Sequence, residues 1–248
     1  LALIFAPGSS LGGARPKASV LDVHGHLAIA KFPRADDEYS IERWEWVALQ
    51  LAAAAGIDVA AAELLSVGGR DVLLSRRFDR RGEERIHLAS ALALLGLRDG
   101  DRASYPEIAE IVQRDGSQPQ RDHVELFRRM VFNICVANVD DHLRNHGFLR
   151  TRTGWTLSPA YDINPVPTDV RARVLSTNVT PDDATGSLDA ARESATYFGL
   201  SPKQADAVIA EVLSAVANWR GVARKAGAST KECARMQSAF LTNDEHRD

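Results

Sequence analysis

Short apolar runs broken by turn residues fill the start of this chain, and longer runs with a helical period fill most of the rest. Residues 19–22 and 27–32 read as two strands joined by a turn around His24-Gly25-His26, where glycine supplies the turn chemistry. Residues 40–55 place Ile41, Trp44, Val47, Ala48 and Leu51 close to a 3.6-residue period, which predicts a helix stopped by Gly56. Residues 61–67 and 71–78 read as a second strand pair around Gly68-Gly69. Helices are expected at 88–97, at 105–115 behind an N-cap at Ser104, and at 122–139. A small hairpin, 148–149 with 155–157, turns at Gly154, and the polar, proline-bearing stretch 164–187 reads as loop. Ser201-Pro202-Lys203-Gln204 is a helix start with cap, N1 proline and N3 glutamine, and that helix is predicted to reach about residue 226. The pattern predicts an α+β chain in two lobes: a small β-containing lobe over 1–80 and a larger, all-helical lobe over 81–248. A cleft between two such lobes is a common place for a ligand.

Composition narrows the function. At 248 residues the chain can bury one core, or two lobes that share a cleft. A net charge of −3 supplies no basic field, and no helix-turn-helix with a basic face is visible, so direct nucleic-acid binding is not expected. No apolar stretch is long enough to span a bilayer. The opening Leu1-Ala2-Leu3-Ile4-Phe5 lacks the positive region of a signal peptide. An apolar run entering a glycine-rich loop reads as the middle of a fold, so residues are expected to have preceded it. Cys135 and Cys233 are too few and too far apart for a disulfide framework or a zinc cluster. Cys135 is expected to be a buried thiol, and the chain a cytoplasmic protein of a reducing compartment.

The densest chemistry lies in Asn138-Val139-Asp140-Asp141-His142-Leu143-Arg144-Asn145-His146-Gly147, directly after an apolar helix. Phosphoryl transfer needs a carboxylate near the attacking hydroxyl and oxygen ligands for a Mg²⁺ ion that bridges the phosphates. Protein kinases order these groups as Asp, then Asn five positions on, then a second Asp after a hairpin. Asp140, Asn145 and Asp162 fit that order. The five-residue step selects Asp140 and leaves Asp141 as the control substitution. Taken singly, these acids also suit helix ends and turns. His142 and His146 beside them admit a metal site, but the spacing of a helical zinc motif is missing.

Two features of the first half join this set. Gly8-Ser9-Ser10-Leu11-Gly12-Gly13-Ala14-Arg15-Pro16-Lys17 is a loop of small residues that can bring backbone N–H groups up to phosphate oxygens. Lys31 ends the strand Leu27–Phe32 as the nucleotide lysine of kinases does, and Lys17 and Lys31 are the only lysines before Lys203. Glu42 and Glu45 both lie on the next helix as partners for Lys31, and spacing does not choose between them.

Four segments together resemble the HipA family of bacterial kinases, the toxins of HipA–HipB toxin–antitoxin modules. They are Ser9 to Lys17, Arg76-Arg77-Phe78-Asp79-Arg80, Asn138 to Gly147, and Tyr161-Asp162-Ile163, and the resemblance covers nearly all of 7–220. It implies a two-lobed protein-kinase-like fold that uses ATP and Mg²⁺. It implies Asp140 as the carboxylate that orients and deprotonates the acceptor hydroxyl, Asn145 and Asp162 as metal ligands, and His142 as a residue holding the catalytic loop. Lys31 would contact phosphates together with the loop residues Gly12, Gly13, Ala14 and Lys17. Glu45 matches the helix acid, and Arg77 and Phe78 match the hinge beside adenine. Ser10 matches a self-phosphorylation site, where a phosphate would add charge in the place of the ATP phosphates. The resemblance further implies a protein substrate, with aminoacyl-tRNA synthetases among those of the family, and a HipB-like DNA-binding antitoxin as partner. The chain begins almost at the glycine-rich loop, so it is expected to lack the family's N-terminal subdomain. Two other readings stay open: a kinase-like enzyme acting on a small molecule, and a non-catalytic module that binds an antitoxin.

Overall fold

The computed structural model describes residues 15–242. A four-stranded antiparallel sheet comes first: β1 (Lys17–Leu21), β2 (Leu27–Lys31), β3 (Ala62–Val67) and β4 (Arg70–Arg76), in the order β1-β2-β4-β3. Gly68 and Gly69 close the β3–β4 hairpin at φ 58° and 76°, a region that side chains with a Cβ avoid. The register sets Lys17 opposite Lys31 and Ser75 opposite Ile29. Side chains alternate along a strand, so these four share one face. The other face buries Val20, Ala28, Ala30 and Val72 as a small core of its own.

Between β2 and β3 runs α1 (Ile41–Ala54), capped by the Ser40 hydroxyl, which accepts from the Arg43 N–H. Its buried stripe of Trp44, Val47, Ala48 and Leu51 belongs to the main core, which continues as far as Phe240. α1 is therefore packed both under the sheet and against the helices that follow position 80.

Those helices are α2 (Ala91–Leu94), α3 (Tyr105–Asp115), α4 (Pro119–Cys135), α5 (Leu188–Ser194), α6 (Pro202–Val216), α7 (Trp219–Lys225) and α8 (Thr230–Arg235). α4 runs through the centre of the core, with Phe127, Met130, Val131, Phe132 and Ile134 out of contact with solvent. Among the described residues, no helix is long and apolar enough to cross a membrane.

Four expectations are corrected. The second region is not all-helical: β5 (Arg80–Arg81) pairs with β6 (Glu84–Arg85), and β7 (Leu88–Ser90), β8 (Gly147–Arg150) and β9 (Trp155–Leu157) form a further sheet. The expected helix at 88–97 accordingly starts as a strand, because Leu88 to Ser90 pair with Leu149 to Gly147. Helix α4 ends at Cys135 rather than 139, because Ala137 adopts a left-handed φ of 47° and the Asn138 N–H turns back to the Asn133 carbonyl at 2.9 Å. The helix expected to reach residue 226 breaks after Val216, which turns Trp219 inward to stack on Phe240 at 4.5 Å.

Candidate active site

A cleft of about 550 Å³ opens where the lysine face of the first sheet meets the loop after α4. Lys17, Ile29, Lys31 and Ser75 line it from the sheet, and Glu45 from α1. Arg77, Phe78 and Asp79 line it where β4 leaves the sheet. His142, Arg144, Asn145, Tyr161 and Asp162 complete it from the other side. The Phe78 and Tyr161 rings meet with centroids 5.5 Å apart, forming an aromatic wall. Arg77 is held in place by Asp79 through bonds of 2.8 and 2.5 Å.

The centre of the cleft is an ion trio. The Lys31 ammonium donates to both Glu45 oxygens, at 2.7 and 2.8 Å, and to Asp162 Oδ1 at 2.7 Å. Burial works against the charge of Lys31, but Glu45 and Asp162 more than offset it and hold its pKa above the ordinary lysine value. Burial also pushes Glu45 up to about 7 against the pull of Lys31. Asp162 is likewise opposed by burial, yet Lys31 keeps it below the usual carboxylate range. The trio carries two carboxylates and one ammonium, so it holds a net negative charge if both acids are ionised. Of the two candidate acids on α1, Glu45 is the one at Lys31; Glu42 is buried against Arg15 at 3.0 Å.

Asp162 sits at φ 57° and Ala137 at φ 47°, the two non-glycine residues with left-handed backbone among the described residues. Such positions cost about 1–3 kcal/mol each and persist where surrounding contacts over-determine them. Here those contacts are a chain of polar groups. Asp162 Oδ1 accepts from Asn164 Nδ2 at 3.0 Å, and the Asn164 N–H donates to Asn138 Oδ1 at 3.0 Å. Asn138 donates to Asn133 Oδ1 at 3.0 Å, Asn133 to the Tyr105 hydroxyl at 2.8 Å, and Tyr105 to Asp141 Oδ2 at 2.8 Å. Asp141 Oδ1 takes the backbone N–H groups of Ser176 and Thr177 at 2.8 and 3.2 Å. Its own carbonyl accepts from His146 Nε2 at 3.0 Å and from the Thr177 hydroxyl at 2.7 Å.

This network reassigns three residues. Asp141 is buried and ties the loop down, so it does not serve as a neutral control for Asp140. The histidine bonded to the loop backbone is His146; the His142 ring faces the cleft, and its Nδ1 is buried without a partner. Tyr105 went unnoticed in the sequence, where it reads as an ordinary core aromatic. Asp140 is exposed at the end of the loop, outside the cleft lining, with its carbonyl bonded to Asn145 Nδ2 at 3.1 Å. Lys17, Lys31, Glu45, Arg77, Phe78, His142, Asn145 and Asp162 all line the cleft. Ser10, Gly12, Gly13 and Ala14 lie outside the described residues.

The donor set suits a hard cation. Among the described residues no cluster of three or more His, Cys, Asp or Glu side chains could hold a metal. Mg²⁺, however, typically takes one or two carboxylates and completes its shell with water and phosphate oxygens. Asn145 and Asp162 line the same cleft, and the buried Asn164 Oδ1 beside Asp162 has no hydrogen-bond partner.

Sheet, helices and ion-lined cleft define a kinase-like fold of mixed α and β structure. The chain belongs to the family of the HipA-like C-terminal domain, which it matches over residues 9–219. It is 22% identical over 189 residues to the serine/threonine-protein kinase toxin HipA of Shewanella oneidensis, covering 63% of this chain and 43% of that protein. The solved complex of the Shewanella oneidensis MR-1 toxin–antitoxin system, with HipA, HipB and operator DNA, contains a chain that matches with a TM-score of 0.74 and 17% identity, over 94% of this chain and 63% of that one. The Helicobacter pylori proinflammatory kinase CtkA matches with a TM-score of 0.57 and 17% identity, over 91% of this chain and 96% of that one. The matched stretch spans only 41% and 43% of two curated relatives.

Proposed function

We propose that the chain is a Mg·ATP-dependent serine/threonine protein kinase of the HipA-like toxin type. The observation that carries this reading is the Lys31–Glu45–Asp162 trio sharing one cleft with Asn145. In this reading residues 1–80 and 81–248 act as two lobes around the nucleotide. Glu45 orients Lys31 toward the ATP phosphates, with Lys17 and the loop residues Gly12, Gly13 and Ala14 beside it. Phe78 and Arg77 flank the adenine. Asn145 and Asp162 would hold Mg²⁺, which would supply positive charge to offset that of the phosphates. Asp140, exposed beside the cleft, accepts the proton of the acceptor hydroxyl, and His142 lines the cleft. The acceptor is a protein, with an aminoacyl-tRNA synthetase as a candidate, and Ser10 is a candidate for self-phosphorylation. A HipB-like antitoxin is the proposed partner and the cytoplasm the proposed location.

The test is incubation of the purified chain with labelled ATP and Mg²⁺, alone and with cell lysate, beside Asp140→Asn. Labelled protein bands that vanish in the variant are expected. A labelled small product with no labelled protein would move the reading to a small-molecule kinase. Absence of ATP binding by calorimetry would sink both and leave a non-catalytic module. Mass spectrometry of the ATP-treated chain reads Ser10 directly.

A further inference from the structure

Glu45 reaches Lys31 only while α1 keeps its position, and the first turn of α1 is held by a charged network. Arg43, two positions before Glu45, pairs with Glu232 on α8 at 2.8 Å and with Asp71 on β4 at 2.8 Å. Asp71 also accepts from the Ser40 hydroxyl at 2.6 Å, the same hydroxyl that caps α1. The three side chains are 14–20% exposed, so their charges are shielded from solvent more than those of ordinary surface pairs. A second arginine, Arg235 of α8, pairs with Glu38 just before α1 and with Asp169 in the loop after Asp162. Behind α8, Phe240 packs on Trp44 of α1 at 5.9 Å, and the Leu241 N–H caps the Cys135 carbonyl at the end of α4 at 2.7 Å. The segment around α8 thus touches the helix that carries Glu45, the loop that follows Asp162, and the helix that leads into Asp140. It lies beyond the 9–219 stretch matched to the family.

We propose that α8 is a latch that sets the Lys31–Glu45 pair, with Arg43 and Glu232 as positioning residues acting through α1. The consequence for catalysis rests on the kinase reading, but the geometry does not. A helix shift of ~1–2 Å, the usual scale for packed helices, is enough to break a 2.7 Å contact at Glu45. Lys31 then keeps Asp162 but loses its second carboxylate. The ammonium is then uncovered on the side that Glu45 shielded, and the side chain becomes more reactive toward an outside reagent.

That reactivity gives a test independent of turnover. The folded full chain is treated with acetic anhydride at pH 8, and acetylation of Lys31 is followed by peptide mass spectrometry against the exposed Lys203. Glu45→Ala, which uncovers the ammonium outright, calibrates the full effect. Arg43→Gln and Glu232→Gln should raise Lys31 acetylation severalfold relative to Lys203, while Arg43→Lys stays near the native rate. Should Arg43→Gln fail to fold, Glu232→Gln carries the test, since its removal leaves Arg43 with Asp71. Native acetylation of Lys31 in folded Glu232→Gln, alongside a raised rate in Glu45→Ala, overturns the latch. A wild-type chain that never turns over ATP would sink the kinase reading and leave this result interpretable.

Discussion

The Tyr105 hydroxyl donates to Asp141 at 2.8 Å across 36 positions of sequence, and both side chains are almost fully buried. That bond joins α3 to the loop that carries Asp140. Tyr105→Phe removes it and also leaves Asn133 Nδ2 without its acceptor. Leaving two buried polar groups unsatisfied should cost about 2–4 kcal/mol. Chemical denaturation should show that loss, with phosphoryl transfer falling too as the loop loosens. A stability within ~0.5 kcal/mol of native would mean that the network contributes little.

The same network holds two groups with opposite dependence on pH. Burial lowers His146 to about 4, below its ordinary value of 6.5. Its contribution is present above pH 6.5 and is lost as pH falls toward 4. Burial raises Asp141 from 3.8 to about 7, despite the bonds from Tyr105, Thr177 and Ser176. Its contribution is present below pH 3.8 and is lost as pH rises through 7. Each shift corresponds to roughly 3–4 kcal/mol over its window, so the two offset each other between pH 4 and 7. Relative to the native chain, His146→Gln should therefore gain stability on acidification from pH 7 to 4, and Asp141→Asn should lose it. Denaturation curves across that range read the slopes, and parallel curves for the two variants would contradict the assignment.

Lys31 pairs with two carboxylates at once. Lys31→Met leaves the fully buried Glu45 without its counter-charge, and breaking a buried pair from one side costs about 3–5 kcal/mol. Lys31→Met with Glu45→Gln should recover much of that stability while phosphoryl transfer stays absent. Thermal melts and turnover measured on the same samples separate the two roles. Recovery of turnover in the double variant would remove Lys31 from the chemistry.

What the sequence disclosed follows from how local each signal is. The helix at 105–115 is announced by Ser104 and Glu107, whose reciprocal bonds form a capping box within four residues. The order Lys31, Asp140, Asn145, Asp162 is also legible, because chain order and residue type are enough to recognise it. The strand Leu88–Ser90 was hidden, since its partner lies about sixty positions on and a short apolar run carries no period that separates strand from helix. Spacing did not choose between Glu42 and Glu45, and the family resemblance alone pointed to Glu45: both are buried on α1, and the way α1 packs against the sheet sets Glu45 at Lys31 and Glu42 at Arg15. Asp141, His142 and His146 look alike in a polar cluster; burial, which no local pattern encodes, divides them into loop anchors and a cleft residue.

Gly147 joins the loop after α4 to β8, and its backbone leaves no room for a side chain. A Cβ there would meet Ser158 Oγ at 2.5 Å, while its next neighbours, in Tyr161 and Leu88, stand at 3.2 and 3.3 Å. The Ser158 N–H is bonded to the Gly147 carbonyl at 2.8 Å, so the two backbones cannot separate without breaking that bond. Gly147→Ala should therefore cost about 1–3 kcal/mol, as overpacking of a closed site does. Most of the clash comes from one oxygen. Removing it in Gly147→Ala with Ser158→Ala leaves only contacts that a few tenths of an ångström relieve. The double variant should then be more stable than Gly147→Ala alone, even though Ser158→Ala by itself loses the bond from Ser158 Oγ to the Pro159 carbonyl. Urea denaturation of the four chains closes the cycle. A double variant less stable than Gly147→Ala would show that the tight contact lies with Tyr161, the residue next to Asp162, rather than with Ser158.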